Sequence, residues 1–384
     1  MADHTDEKLE QYRKLIDQLD HQLIDTLAER QRVVREVFSK KIDDQNLIRD
    51  TEREEKLLKK IRDLATDAGL DPYFAEQLFR EIIMQSVRYQ THSLVDHQND
   101  RLEATKVSVA YQGTQGAYSH QAAIHHFSER YDQVHCIGFQ SFEEAVSAVD
   151  KGEADTAILP IENTTAGSIN DTYDLLGEYK MHITGEEVLR INHCLMAIEP
   201  IQVENIRRIL SHPQAITQCS QFLARLPRCK IESYTDTAMS AQKVYEDADL
   251  SQAAIASSYA AELYNLHIIE KDLENQPENY TRFVIVAPDP VVCDPQLPCK
   301  TSLMFATVHE KGALIRCLNV LDQHGINMTK LESRPRPGKP WQYMFYLDIE
   351  GNSSSPHVTK ALNEIENKSA YFKLLGTYPS EGLD

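Results

Sequence analysis

Between residues 7 and 91 the chain contains a single glycine, Gly69, and a single proline, Pro72. So long a run without backbone breakers, filled with Leu, Ile, Glu, Lys, Arg and Gln, has few options besides helix. Leu15, Ile16, Leu19, Leu23, Leu27, Val34 and Val37 recur at spacings of three and four, which predicts one long amphipathic helix from about Asp6 to Lys41. A second helix is expected from about Asp50 to Ala68. A third follows the break at 69–72 and carries Phe74, Leu78, Phe79, Ile82, Ile83 and Val87. Three helices with one very long member close a poor core alone, so association with a second copy is expected.

The pattern changes after the polar linker DHQNDRLEAT, residues 96–105. KVSVAY, ADTAILP, MHITGEEVLRINHCLMAI and TRFVIVA read as strands, and SHQAAIHHF, FEEAVSAVD and TAMSAQKVYEDA as helices, which suggests α/β units. PDPVVCDPQLPCK, residues 288–300, holds four prolines and is a second linker. The remainder spells β-α-β-β-α-β, the order of a ferredoxin-like α+β module. The expected organisation of the 384 residues is an all-α segment at 1–95, an α/β segment at 106–288 and the α+β module at 299–384.

A net charge of −19 argues against general nucleic-acid binding, which needs a basic footprint. Any anion site must then be a local cluster of basic groups working against the surrounding field. No stretch approaches the ~20 apolar residues of a membrane span. The start, MADHTDEKLEQ, has no basic n-region or apolar h-region, so a cytoplasmic protein is expected. Seven cysteines without a C-x-x-C pair fit reduced packing thiols better than a disulfide frame or a zinc site. Neither G-x-x-x-x-G-K-[ST] nor G-x-G-x-x-G after a strand is present, so neither nucleotide binding nor a dinucleotide-dependent dehydrogenase is expected, and the chain is expected to use no cofactor or metal.

The helical segment places Arg13 and Arg30 on one helix, 17 residues and so roughly 25 Å apart. Arg30 and Lys41 lie close to three turns apart and point the same way; Asp50, Arg53 and Glu54 share a face, as do Ser86 and Gln90. In this order and spacing the set resembles the all-helical chorismate mutase family. The resemblance implies that Arg13 and Arg30 grip the two carboxylates of chorismate, Lys41 and Gln90 bond the ether oxygen, and Glu54 with Asp50 orients the ring hydroxyl. Arg53 and Ser86 complete the pocket. It also implies an intertwined homodimer, with higher oligomers possible, in which Arg13 reaches the partner's site. A Claisen rearrangement suits such residues, because charge grows on the ether oxygen and no covalent intermediate is needed.

The α/β segment offers Thr281 and Arg282 at the threshold of the apolar run from Phe283 to Val286, and GTQGAYS at 113–119, which suits an anion nest. It also offers PIENTTAGSIND at 160–171 and SHPQAITQCS at 211–220. Together these resemble prephenate dehydratase. The resemblance implies a two-lobed fold similar to periplasmic solute-binding proteins, with Thr281 as acid to the leaving hydroxyl and Arg282 helping to hold the site. Ser119, Glu162, Asn163, Thr164 and Gln218 line it. Where the family's loop has Pro and a hydroxyl residue this chain has Thr114 and Ala117.

The whole chain thus resembles the bifunctional chorismate mutase/prephenate dehydratase family with a C-terminal ACT domain. In the last module Gly312, Ala313 and Leu314 of GALI, and Glu332, Ser333 and Arg334 of ESRP, resemble that domain's phenylalanine-binding motifs. L-phenylalanine is therefore the expected effector, and chorismate and prephenate the expected substrates.

Overall fold

The computed structural model describes residues 2–41, 51–99, 101, 104–295, 297–336 and 338–381. The chain forms two compact units, residues 1–96 and 97–384. Helices α1 (Ala2–Lys41), α2 (Thr51–Asp67) and α3 (Pro72–Gln98) make up the first, with α3 running two residues past its boundary. Gly69, at φ +73°, ends α2, and the Asp71 side chain accepts from the Tyr73 amide at 2.9 Å to start α3, with Pro72 in its first turn. Ile61, Ala65 and Ala75 form a small core with Leu57 and Phe79 against them. Leu15, Ile16, Leu19 and Leu23 of α1 are each more than half exposed. The long helix therefore forms as its periodicity requires while much of its apolar stripe finds no cover among the described residues.

The second unit begins with an α/β lobe. It contains β1 (Lys106–Gln112), α4 (Tyr118–Phe127), β2 (Gln133–Phe139), α5 (Phe142–Asp150), β3 (Thr156–Asn163), β4 (Gly167–Ser168), α6 (Asn170–Glu178) and β5 (His182–Arg190). The chain then crosses to a second lobe of β6 (Cys194–Ala197), β7 (Arg208–Ser211), α7 (Pro213–Gln218), α8 (Ser220–Leu223), β8 (Lys230–Ser233), α9 (Thr237–Asp247), β9 (Gln252–Ala256), α10 (Ser258–Leu263) and β10 (His267–Glu270). It returns as β11 (Tyr280–Ala287), which inserts between β3 and β5, antiparallel to both. The first sheet is ordered β2-β1-β3-β11-β5 and the second β10-β6-β9-β7-β8.

The apolar run read as one strand from Met181 to Ile198 is two strands in different lobes, broken at residues 191–193. Strands β7 to β10 hold only four or five residues each, too few for an alternation to stand out in the sequence.

The last module is β12 (Cys299–Thr307), α11 (Ala313–Gln323), β13 (Met328–Pro335), β14 (Tyr343–Glu350), α12 (Pro356–Lys368) and β15 (Ser369–Pro379), with an antiparallel sheet ordered β13-β14-β12-β15. It shares a core with the first lobe, in which Met304, Met344, Tyr346, Leu375 and Tyr378 pack with Tyr173, Leu176, Met181 and Ile183. Gly376 permits the close approach, since a Cβ there would lie 2.1 Å from the Ile183 carbonyl oxygen. Among the described residues no helix is long and apolar enough to cross a membrane.

Candidate functional site

In the helical unit the structure joins two of the expected residues directly. Arg30 Nη1 donates to Ser86 Oγ at 2.8 Å, and Ser86 Oγ donates to the Ile82 carbonyl at 2.9 Å. Partial burial draws the Arg30 guanidinium down from its ordinary range. Gln90 is half-buried one turn beyond Ser86, and Arg53 and Glu54 stand in the first turn of α2. Arg13 is mostly exposed beside Glu10 at 3.7 Å. The Lys41 side chain and Asp50 lie outside the described residues.

The α/β unit has a cleft of about 780 Å³ whose lining includes Ser119, Asn163, His193, Gln218, Thr281 and Phe283. Register explains the core of it. Thr281 of β11 faces Asn163 of β3, and both are buried. Asn163 Nδ2 donates to Thr281 Oγ1 at 3.0 Å and to Asn279 Oδ1 at 2.8 Å, while its Oδ1 accepts from the Thr165 hydroxyl at 2.7 Å and from Gln218 Nε2 at 3.3 Å. Gln218 Oε1 lies 2.8 Å from His193 Nε2, and His193 Nδ1 lies 3.0 Å from the Tyr118 hydroxyl. Burial holds His193 below the ordinary imidazole range, although its bond to Gln218 works the other way. A neutral ring fits this chain, with Nε2–H donating to Gln218 and the Tyr118 proton shared between Nδ1 and the Asn192 carbonyl 2.7 Å away.

Because Thr281 Oγ1 accepts from Asn163 and lines the cleft, its own proton is free to turn toward the cleft. Among the described residues none accepts it. Tyr118, His193 and Asn279 help fix this arrangement without having been expected to, and Thr165, placed by its motif near the ligand, was given no role. Thr165 lay inside a motif already singled out, whereas the Asn192-His193 pair offered only its place at the end of an apolar run.

Three expected residues sit elsewhere. Arg282 is the neighbour of Thr281 on a strand, so it points to the opposite face of the sheet. There it donates to Glu186 at 2.7 Å, to Asp348 at 2.6 Å and to the Tyr378 hydroxyl at 2.9 Å. Burial opposes its charge, but Tyr378, Asp348 and Glu186 outweigh that and hold its pKa well above the usual range. Lys300 also donates to Glu186, at 2.7 Å, so two cations balance two carboxylates in this buried contact with the C-terminal module. Glu162, on the same face, pairs with Lys330 at 2.9 Å. Thr164 turns outward, its hydroxyl donating to the Glu278 carbonyl and accepting from the Tyr280 amide.

Among the described residues no lysine or arginine lines the cleft, whereas Glu143, Asp171, Asp174 and Glu178 do. Positive potential comes from backbone instead, since the first residues of α4, α5, α7 and α9 all border the cleft. Side chains of Ser141, His212 and Asp236 cap α5, α7 and α9, but Ala117 leaves α4 without a side-chain cap. The glycine loop is not an open nest, because Asp236 Oδ2 accepts from the Thr114 amide at 3.2 Å while Oδ1 accepts from Ala238 N at 2.6 Å. Thr114 is not among the lining residues. Asp236→Ala is expected to cost about 1–2 kcal/mol of stability, read as a lower denaturation midpoint with unchanged denaturant slope.

In the C-terminal module Gly312 takes φ +72° and opens α11, with Ala313 buried and Leu314 partly so. Glu332 accepts from Ser168 Oγ at 2.5 Å, and Arg334 holds Asp174 through two bonds of 3.2 and 2.7 Å. Ser333, between them, faces out. Register aligns Ala306, Met344 and Arg334 across three strands, so the loop into α11 and Arg334 share one end of the sheet.

A family model described as prephenate dehydratase matches residues 109–291, and one described as chorismate mutase type II matches residues 12–91. The bifunctional chorismate mutase/prephenate dehydratase of Enterobacter agglomerans is 39% identical over 380 residues, which is 99% of this chain and 98% of its own. Among solved structures, a protein described as a novel type of quorum quenching acylase is 33% identical with a TM-score of 0.65, over 71% of this chain and 98% of its own. The prephenate dehydratase of Arthrobacter aurescens in complex with L-Phe is 27% identical with a TM-score of 0.65, over 71% of this chain and 90% of its own. Two catalytic segments matched in order, within a relative that aligns nearly end to end, carry one conclusion: the chain belongs to the bifunctional chorismate mutase/prephenate dehydratase family and has both activities.

Proposed function

We propose that this chain makes phenylpyruvate from chorismate through the residues named above and is inhibited by L-phenylalanine, the amino-acid counterpart of its product. In the mutase step Arg30 and the partner subunit's copy of Arg13 hold the substrate carboxylates. Lys41 and Gln90 stabilise the growing charge on the ether oxygen, while Glu54 and Asp50 orient the hydroxyl and Arg53 and Ser86 complete the pocket. The uncovered stripe on α1 supports a homodimer.

In the dehydratase step the bond from the ring to its carboxylate breaks, releasing carbon dioxide. The electron pair completes the aromatic ring as the ring carbon–oxygen bond breaks, and the departing oxygen takes a proton to leave as water. Thr281 supplies that proton and recovers one from solvent. Ser119 and the uncapped start of α4 seat a carboxylate, with Asn163 and Gln218 holding Thr281 and Thr165 in place. The observation that carries this reading is the Asn163 to Thr281 hydrogen bond, in which the threonine oxygen accepts and so keeps its own proton to donate. An acylase would need a base on its nucleophile, whereas the Thr281 hydroxyl receives a proton bond from an amide and His193 is engaged elsewhere. Ultraviolet detection of phenylpyruvate from chorismate supplied to the purified chain tests the sequence of reactions. Accumulation of prephenate without phenylpyruvate would refute it.

The C-terminal module is read as a ferredoxin-like ACT domain from its element order and sheet order. L-phenylalanine is assigned to the GALI and ESRP motifs, and the dehydratase of Arthrobacter aurescens with L-Phe bound supports it as the effector. Gly312→Val places a side chain where φ is +72°. Dehydration is expected to continue while the L-phenylalanine concentration for half-inhibition rises about tenfold or more, since ~1.4 kcal/mol of lost binding is already a factor of ten. An unchanged inhibition curve would move the effector site elsewhere.

A further inference from the structure

Cys293 and Cys299 stand at the two ends of a five-residue turn in the connection from the dehydratase lobes into β12. The turn is closed by a hydrogen bond of 3.0 Å from the Leu297 amide to the Asp294 carbonyl. Asn352 pins both ends, its Nδ2 lying 2.9 Å from the Cys293 carbonyl oxygen and 3.8 Å from Cys299 Sγ. Cys293 Sγ lies 3.4 Å from the Thr377 carbonyl. Both thiols are free and buried.

Asn352 thus brings the two thiols to one buried site, where each influences the other. The neighbouring Cys293 draws Cys299 below the ordinary thiol range, against the effect of burial and with help from Asn352; Cys299 in turn pushes Cys293 up, and burial adds to this. Of the two, Cys299 is the readier to ionise, with Cys293 as the proton-bearing neighbour. The thiols of Cys136, Cys194, Cys219, Cys229 and Cys317 are all pushed up by burial.

We propose that Cys293 and Cys299 form an oxidant-responsive dithiol, in which a peroxide is reduced and a reversible disulfide closes the connection between the dehydratase lobes and the C-terminal module. The Cys299 thiolate attacks one oxygen of hydrogen peroxide, the oxygen–oxygen bond breaks, and the departing hydroxide takes a proton to leave as water. The Cys293 sulfur then attacks the resulting sulfenic sulfur and displaces its oxygen, which leaves as a second water with the Cys293 proton. Two thiols and one peroxide give one disulfide and two waters, and a dithiol reductant reverses the change. Closing the bond brings the sulfurs to about 2.0 Å, a movement that the two ends of a short turn held by one Asn352 side chain can make. Lys300, bound to Glu186 beside Arg282, follows directly, so the cross-link fixes the start of the strand that carries this contact.

The test treats the reduced, desalted full-length protein with increasing hydrogen peroxide. Thiols are then counted after denaturation, and unreduced peptides are mapped by mass spectrometry. The count is expected to fall from seven to five, with a mass loss of about 2 Da in one Cys293–Cys299 linked peptide. Dithiothreitol should restore all seven thiols. In Cys293→Ser the reaction should stop at a sulfenic acid on Cys299 that dimedone traps, and in Cys299→Ser neither product should form. The peptide map of the unmodified chain decides the matter even if a variant fails to fold. A count that stays at seven, lost thiols that map to Cys194 and Cys219, or sulfinic acid on Cys299 beside a free Cys293 would each overturn the proposal.

Discussion

Thr281→Ala is expected to lower kcat for prephenate dehydration by about 10²–10⁴-fold, the usual effect of removing a positioned proton donor, while prephenate formation from chorismate continues unchanged. The substitution removes one hydroxyl from β11 and leaves its pairing with β3 and β5 intact. Asn163 Nδ2 loses one acceptor but keeps Asn279 Oδ1 at 2.8 Å and the Tyr280 carbonyl at 3.0 Å, so the stability cost should stay near ~1 kcal/mol. A loss of rate in a folded protein with little change in KM is the signature of a group acting in the transition state. Thr281→Ser, which keeps the hydroxyl, should recover most of the rate. Residual dehydration within tenfold of wild type, or loss of the mutase in the same folded protein, would refute the assignment. The second outcome bears on architecture, because residues 1–96 and 97–384 pack as separate compact units.

The motifs singled out in the dehydratase fall on strands that border the cleft, but the sequence alone does not say which face of each strand meets it. Thr281 and Asn163 could be placed because they stand in compact polar stretches beside apolar runs. Arg282 and Glu162 came with them only as sequence neighbours, and the twofold alternation of a strand sends those neighbours to the other side of the sheet. There the C-terminal module supplies Asp348, Tyr378 and Lys330 as partners, from more than sixty residues away in the chain. Thr164 and Thr165 differ for a similar reason, since the chain turns after β3 and only Thr165 faces Asn163 and Gln218. His193 was illegible because the apolar run around it reads as one strand. Nothing local announces that the chain leaves one sheet and enters another between Arg190 and Cys194. The helices were easier, since a period of three to four sustained over α1 to α3 leaves little else to form.

Arg30→Ala is expected to reduce mutase efficiency by about 2–5 kcal/mol in transition-state binding, roughly 30- to 5000-fold, with dehydration of added prephenate preserved. Arg30 is half-buried and already aimed by Ser86, whose own proton goes to the Ile82 carbonyl, so the serine presents an oxygen to the guanidinium before any substrate arrives. Such preorganisation lets a cation act on a developing charge without first being gathered from solvent. Among the described residues Arg13 has no comparable support: it is exposed beside Glu10 and stands 17 residues away along the same helix, roughly 25 Å. If both arginines serve one substrate, Arg13 must serve the partner's. Arg13→Ala and Arg30→Ala proteins, each nearly inactive alone, should then complement when unfolded together and refolded at equal concentration. Random pairing makes half of the dimers mixed, and each mixed dimer holds one site with both arginines and one with neither, so about a quarter of wild-type mutase activity should return. Mixed dimers verified by differential tagging that show no recovery would mean that each site is built from a single chain, and Arg13 would then have no part in it.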